Sequence, residues 1–295
     1  MDNRSDVREF LSSRRARITP EEAGLPAFGG NRRVPGLRRE EVALLAGVSV
    51  DYYTRLERGN LSGVSESVLD ALARALQLDE AEREHLFDLA RATTASSRAR
   101  RQAAPQRVRP GLQRLLDSIN GPAWVQNWRL DFLAANRLGF ALHSELLADP
   151  GRPVNSARFV FLNPRSHEFF PDWQRSANDV VAILRTEVGR HPYDRGLSDL
   201  VGELSTRSDD FRTRWAVHNV RLHRTGLKRI HHPVVGDLEL NYEAMEFPAD
   251  PGLTMFAYTA ESGSPSDDGL KLLASWTATQ DSTDRSETAP APEEA

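Results

Sequence analysis

Residues 38–59, RREEVALLAGVSVDYYTRLERG, constrain the fold more than any other stretch of the chain. Val42 and Leu45 recur at helical spacing before Gly47, and Tyr53 and Leu56 recur after it. Two short helices therefore meet at a tight turn. Ala43 is small where the helices approach, and Gly47 supplies the positive φ that such a turn needs. Ser49 is a natural N-cap for the second helix, and Gly59 ends it. Helices joined this closely cross steeply. That is the layout of a helix-turn-helix, whose second helix enters the major groove of DNA.

The segment resembles the XRE-type helix-turn-helix regulators, the group that includes the phage repressors. GVS (47–49) followed by RLERG (55–59) carries the resemblance, and Tyr53 departs from it, because a branched aliphatic is usual there. The resemblance implies that Val50, Asp51, Tyr52 and Arg55 face base edges, with Ser49 opening the helix and Arg38 and Arg39 placed for phosphate. Arg55 has the fork for guanine and Asp51 can accept from cytosine, while Val50 or Tyr52 can touch a thymine methyl. The expected partner is double-stranded DNA, read by a homodimer on an inverted repeat.

Composition fits this reading. The chain of 295 residues is long enough for about two domains. It has no Cys, hence no disulfide, thiolate metal site or thiol nucleophile. No apolar run of about 18 residues is present, so no membrane association is expected. The N-terminal segment MDNRSDVREFL is charged and lacks an apolar core, which predicts a cytoplasmic protein. Lys228 and Lys271 are the only lysines. Arg suits bidentate contacts to phosphate and guanine, but a GC-rich genome gives the same bias. Residues 1–110 hold 19 Arg against 16 acidic residues, and the remainder holds 19 basic against 26 acidic. A basic N-terminal part beside an acidic remainder fits nucleic-acid binding at one end.

The pattern predicts an α+β protein: an all-α helix-turn-helix domain over 1–95, a linker at 96–109, an α/β domain over 110–278 and a disordered tail at 279–295. Residues 18–37, ITPEEAGLPAFGGNRRVPGL, interrupt the first helices with a basic loop that either follows the DNA backbone or is solvated surface. Ser65 and the Asp79–Glu82 pair read as caps of two further helices. Ser-, Ala- and Arg-rich 93–109 has no apolar period and marks the linker. Pro110 suits a first helical position. Strand-like runs follow at 123–128 and 130–135, then a helix capped by Asn136. Helical patterns fill 172–188, 195–205 and 209–218 within this second domain. Leu238, Leu240 and Tyr242 alternate with Glu239, Asn241 and Glu243, the period of a half-buried strand. A strand at 253–260 and a short helix at 266–275 come next. Two early strands and three late ones are similar to the five-stranded antiparallel sheet of a PAS fold.

The whole chain resembles the MmyB-like transcription regulators, which join an XRE helix-turn-helix to a PAS-like ligand-binding domain. The matching phrases are 35–59, GRHPYD (189–194), FRTRWAVHNV (211–220) and HPVVGDLELNYE (232–243). The resemblance implies a bacterial, ligand-responsive regulator, with lipid-like molecules such as fatty acids as the ligand class.

Residues for catalysis are not evident. No Gly-x-Ser-x-Gly, phosphate-loop or His-Glu-x-x-His motif occurs, and the adjacent His231 and His232 would point to opposite faces of a strand. No enzyme, metal or cofactor is expected. The second domain is rich in aromatics, and Trp124, Phe132, Phe140, Phe159, Phe161, Phe170, Trp173, Trp215, Tyr242 and Phe256, with Met245, are candidates to line an apolar ligand pocket or simply to form core. Arg214 and His218 are candidate donors for a ligand's polar end. The alternative is a second domain that only dimerises or binds a partner protein.

Overall fold

The computed structural model describes residues 3–25, 34–94, 107–149, 151, 153–217, 219–220 and 224–287. The chain forms two compact units: residues 1–104 with 178–222, and residues 105–177 with 223–295.

Five helices open the first unit: α1 (Asn3–Arg17), α2 (Arg39–Leu45), α3 (Val50–Glu57), α4 (Glu66–Ala75) and α5 (Glu80–Thr94). Val7, Phe10, Leu11, Val42, Tyr53, Leu56, Leu72 and Leu86 share one core. The caps form as the sequence predicts. Ser49 accepts from the Tyr52 amide and Ser65 from the Val68 amide. Asp79 and Glu82 bond each other's backbone N–H, at 2.8 and 3.2 Å. Thr19 and Glu22 make the same reciprocal pair around a single turn. Gly47 lies at φ 66°, which closes the turn between α2 and α3. The middle of the expected basic loop, with Arg32 and Arg33, lies outside the described residues, as do most of 96–109 and the end of the chain.

The second unit begins with α6 (Pro110–Asp117), β1 (Ala123–Asn127), β2 (Phe132–Ala135) and the helices α7 (Arg137–Leu142), α8 (Ser144–Leu147), α9 (Ser156–Leu162) and α10 (Ser166–Phe169). Three longer or connected helices follow, α11 (Trp173–Arg190), α12 (Arg195–Arg207) and α13 (Asp209–Trp215). The chain then returns as β3 (Thr225–His232), β4 (Gly236–Glu246), β5 (Leu253–Thr259) and α14 (Pro265–Glu287). The five strands form one antiparallel sheet in the order β2-β1-β5-β4-β3, as expected for two early strands beside three late ones. Asn136 fastens its start. It caps α7 through the Gly139 amide, accepts from Ala123 N, and donates to the carbonyls of Ile119 and Gly121.

The alternation of side chains gives the sheet two faces. One carries Trp124, Phe256, Tyr258, Tyr242, Leu240 and Ile230 and packs against helices that include α7 and α14. The other carries Ala123, Val125, Ala134 and Met255 and packs against Leu112 and Leu116 of α6.

Two features of the fold bear on the expected bounds. Residues 178–222, which hold most of α11 and all of α12 and α13, belong to the helix-turn-helix unit and not to the sheet unit. Their apolar faces showed only that they are buried. Val220, beyond α13, joins the core of Val7 and Phe10, and Gly189 and Arg190 of α11 meet His85 and Asp88 of α5. The last helix also runs to Glu287, past the start of the expected tail at 279.

Candidate functional site

α3, the second helix of the helix-turn-helix, carries the expected residues at its surface to different degrees. Val50, Asp51 and Arg55 are exposed, while Tyr52 is half-buried with the Arg55 guanidinium 4.9 Å above its ring. The Ser49 hydroxyl, exposed at the head of the helix, accepts from Tyr52 N at 3.1 Å. Asp51, Thr54 and Arg55 share a groove with Arg58, Asn60 and, from α1, Arg4. Three guanidiniums on one groove make a positive surface suited to phosphate. Arg4 and Arg58 were not predicted from the sequence, because Arg4 lies far from the motif and Arg58 lies beyond its base-reading positions.

Gly59 explains why Arg4 is there. Its φ is 93°, and a Cβ at this position would sit 2.4 Å from the Arg4 carbonyl oxygen. Only Gly lets the end of α3 rest on the first turn of α1.

The Glu of the RLERG phrase holds the motif together. Glu57 is buried, and its carboxylate takes Arg15 Nε of α1 at 2.6 Å and Arg39 Nε of α2. The Tyr53 hydroxyl donates to it at 3.4 Å. Burial, reinforced by the Glu57 charge, pushes the Tyr53 phenol above its ordinary range, so it stays a donor. Arg15 also donates to the Leu37 carbonyl at 2.9 Å. Arg39, expected on phosphate, is thus turned toward Glu57, although half its side chain remains exposed. Arg38 is exposed beside Glu40, and its backbone N–H donates to Glu41.

The covered face of the sheet collects most of the expected aromatics. Trp124 is the centre, stacked on Phe256 at 5.1 Å and flanked by Tyr258 at 4.8 Å and His143 at 4.3 Å. Tyr242 completes the row beside Phe256 and Tyr258. Phe132 packs near His143 and Phe140, but Phe140 is itself 46 % exposed. Phe159 and Phe170 meet edge to face around Phe169. Phe161 abuts Trp173, whose indole N–H donates to the Val160 carbonyl at 3.0 Å.

Polar groups on this face are few. His143 and His232 are buried and bond the carbonyls of Gly139 and Ala141. Burial pushes His143 down to about 4 and also lowers His232, so both are neutral near pH 7. Lys228 has the strand parity of buried Ile230 and His232. Its ammonium lies 4.6 Å over the Phe170 ring and 2.8 Å from Ser176 Oγ. The sequence carries a signal for it, since Lys228 is one of only two lysines in the chain, but position alone does not tell which face a strand residue takes.

Three expected ligand residues are placed elsewhere. Arg214 and Trp215 belong to the helix-turn-helix unit, where Trp215 stacks on Phe211 and under Arg185. Met245 is opposite Met255 in the ladder and out of phase with Tyr242, so it points away from the aromatic row. His218 lies outside the described residues. Among the described residues, no group of His, Asp and Glu is arranged to hold a metal, and no helix is long and apolar enough to cross a membrane.

Two family models match the chain. One, a helix-turn-helix domain, covers residues 9–86. The other, described as the MmyB-like transcription regulator ligand binding domain, covers residues 108–273. No curated protein matches the chain.

Proposed function

The chain belongs to the MmyB-like transcription regulators, and from that premise we propose that it reads a specific DNA sequence through α3 and answers to an apolar acid held against its sheet. The chain is a helix-turn-helix regulator with a ligand-binding domain. The finer reading names the operator-reading residues and the ligand. Val50, Asp51 and Arg55 read bases, while Arg4, Arg38 and Arg58 neutralise phosphates. A single recognition helix spans only a few base pairs, so the working form is a homodimer on half-sites about 34 Å apart.

One observation carries the ligand reading: Lys228 places a cation over Phe170 beside a continuous aromatic face. An apolar chain matches the face, and a carboxylate matches the ammonium. A medium- or long-chain fatty acid has both parts. Lys228 takes the role first expected of Arg214 and His218. The protein in this reading is a bacterial, XRE-type, cytoplasmic regulator without a catalytic step.

The test is mass spectrometry of the denatured purified protein, together with duplex affinity measured with and without dodecanoate. A co-purified fatty acid and a changed affinity are expected, both lost in Lys228→Met. If no lipid co-purifies and the affinity never moves, the domain is instead a dimerisation or partner-protein module.

A further inference from the structure

Two sequence phrases have no role in the reading above: GRHPYD (189–194) and FRTRW (211–215). Both lie within the span matched by the ligand-binding model, yet both belong to the compact unit of the helix-turn-helix. Gly189 is pressed on α5, where a Cβ would come within 2.7 Å of the His85 ring. The next residue, Arg190, forks onto α5 from α11. Its Nε is 3.0 Å from Asp88 Oδ2 and its Nη2 is 2.8 Å from Glu84 Oε1, while Nη1 holds Glu187 at 3.2 Å. Burial works against this guanidinium's charge, but Glu187, Asp88 and Glu84 outweigh it and hold the pKa above the ordinary arginine range. Asp194 then caps α12 through the Leu197 amide.

The second phrase backs Arg185 of α11, which faces Asp6 of α1. Arg185 is buried, stacked 3.7 Å over the Trp215 ring, bonded to the Trp215 carbonyl, and 3.8 Å from Asp6 Oδ1. Asp6 is two residues from Arg4, whose backbone seats Gly59 at the end of the recognition helix. His85 in turn meets Phe10 of α1 edge to face at 5.0 Å. The segment therefore holds α1 and α5, and α1 supports α3. At its other end α11 starts with Trp173, bonded to Val160 and Ser166 of the sheet unit. α11 is one unbroken helix of 18 residues.

We propose that residues 178–222 form a regulatory clamp on the helix-turn-helix, and that ligand state reaches the DNA-reading face through it. This rests on the ligand-responsive reading above. A ligand changes DNA affinity only if it favours one arrangement of an element that both sites bias. The clamp is such an element. It is covalently part of the ligand-binding span and is bonded to the helices behind α3.

The test uses the full chain and a duplex selected from a random pool by the wild-type protein. Affinity is measured with and without dodecanoate for wild type, Arg190→Ala, Arg190→Lys and Arg207→Ala. Arg207 pairs with Glu203 on the exposed side of α12 and serves as control. Arg190→Ala is expected to shift the duplex Kd at least fivefold and to abolish the response to dodecanoate. Arg190→Lys, which keeps the charge but not the fork, is expected to fall between it and wild type, and Arg207→Ala to stay within twofold. A folded Arg190→Ala protein with wild-type affinity overturns the clamp unless the dodecanoate response is lost. One that keeps the wild-type response overturns the coupling. If wild type itself ignores dodecanoate, the ligand reading fails, and the Kd shift alone then decides the clamp. Should Arg190→Ala not fold, Arg190→Lys and Asp88→Asn carry the same comparison.

Discussion

Arg15 Nε on α1 lies 2.6 Å from Glu57 Oε1 at the end of α3, so the second helix of the helix-turn-helix is tied to α1 by a charge pair 42 residues apart. Glu57 is buried, while Arg15 is only partly so and Arg39 is half-exposed. Removing one partner from a fully buried pair costs roughly 3–5 kcal/mol. Here the stranded arginines can turn to water. Glu57→Gln should therefore destabilise the protein by about 2–3 kcal/mol, read as a fall in the urea midpoint. A midpoint equal to wild type would remove Glu57 from this role.

Arg55 and its neighbours should separate into two kinds of contact. Arg55→Ala should lose about 1–3 kcal/mol of discrimination at one base pair. Arg4→Ala and Arg58→Ala should weaken all sequences alike and lower the salt slope of binding by about 1 each. Selection profiles and salt titrations distinguish the cases. An unchanged profile for Arg55→Ala would sink its assignment.

His143 should make stability depend on pH. Its pKa falls from 6.5 in the unfolded chain to about 4 in the fold. Below pH 6.5 the unfolded chain gains a proton that the folded protein refuses. Stability is therefore full above about pH 6.5 and is lost progressively as pH falls toward 4, by about 3 kcal/mol in all. His143→Phe, which keeps a ring against Trp124, should flatten much of that slope. The rest belongs to groups such as His232, whose pKa is also lowered. Urea midpoints across this pH range check the sign as well as the size.

A fragment of residues 1–95 should be markedly less stable than the same helices in the full chain. It lacks Val220 from the shared core and both arginine anchors, Arg185 and Arg190. Thermal unfolding followed by circular dichroism should show a lower midpoint. A fragment as stable as the full chain would mean that residues 178–222 add nothing to the unit.

The sequence by itself determined the local structure of this protein. Ser49, Ser65, Asp79 and Asn136 each cap the helix they precede, because capping needs only a side chain and the backbone two or three residues on. Gly47 and the alternation at 238–243 were legible for the same reason, and they placed the turn between α2 and α3 and the strand β4. The phrase at 38–59 also located DNA binding, but not the support supplied by Arg15 to Glu57 or by Arg4 to Gly59. Only the tertiary structure decided which surfaces meet. The apolar stripes of α11 to α13 require burial but name no partner, so the contacts of α11 with α1 and α5 could not be read from period alone. Strand parity tells that Lys228 and Met245 lie on some face, while the register and the covering helices decide which one. Periodicity is a property of one element, and packing is a relation between elements far apart in the chain.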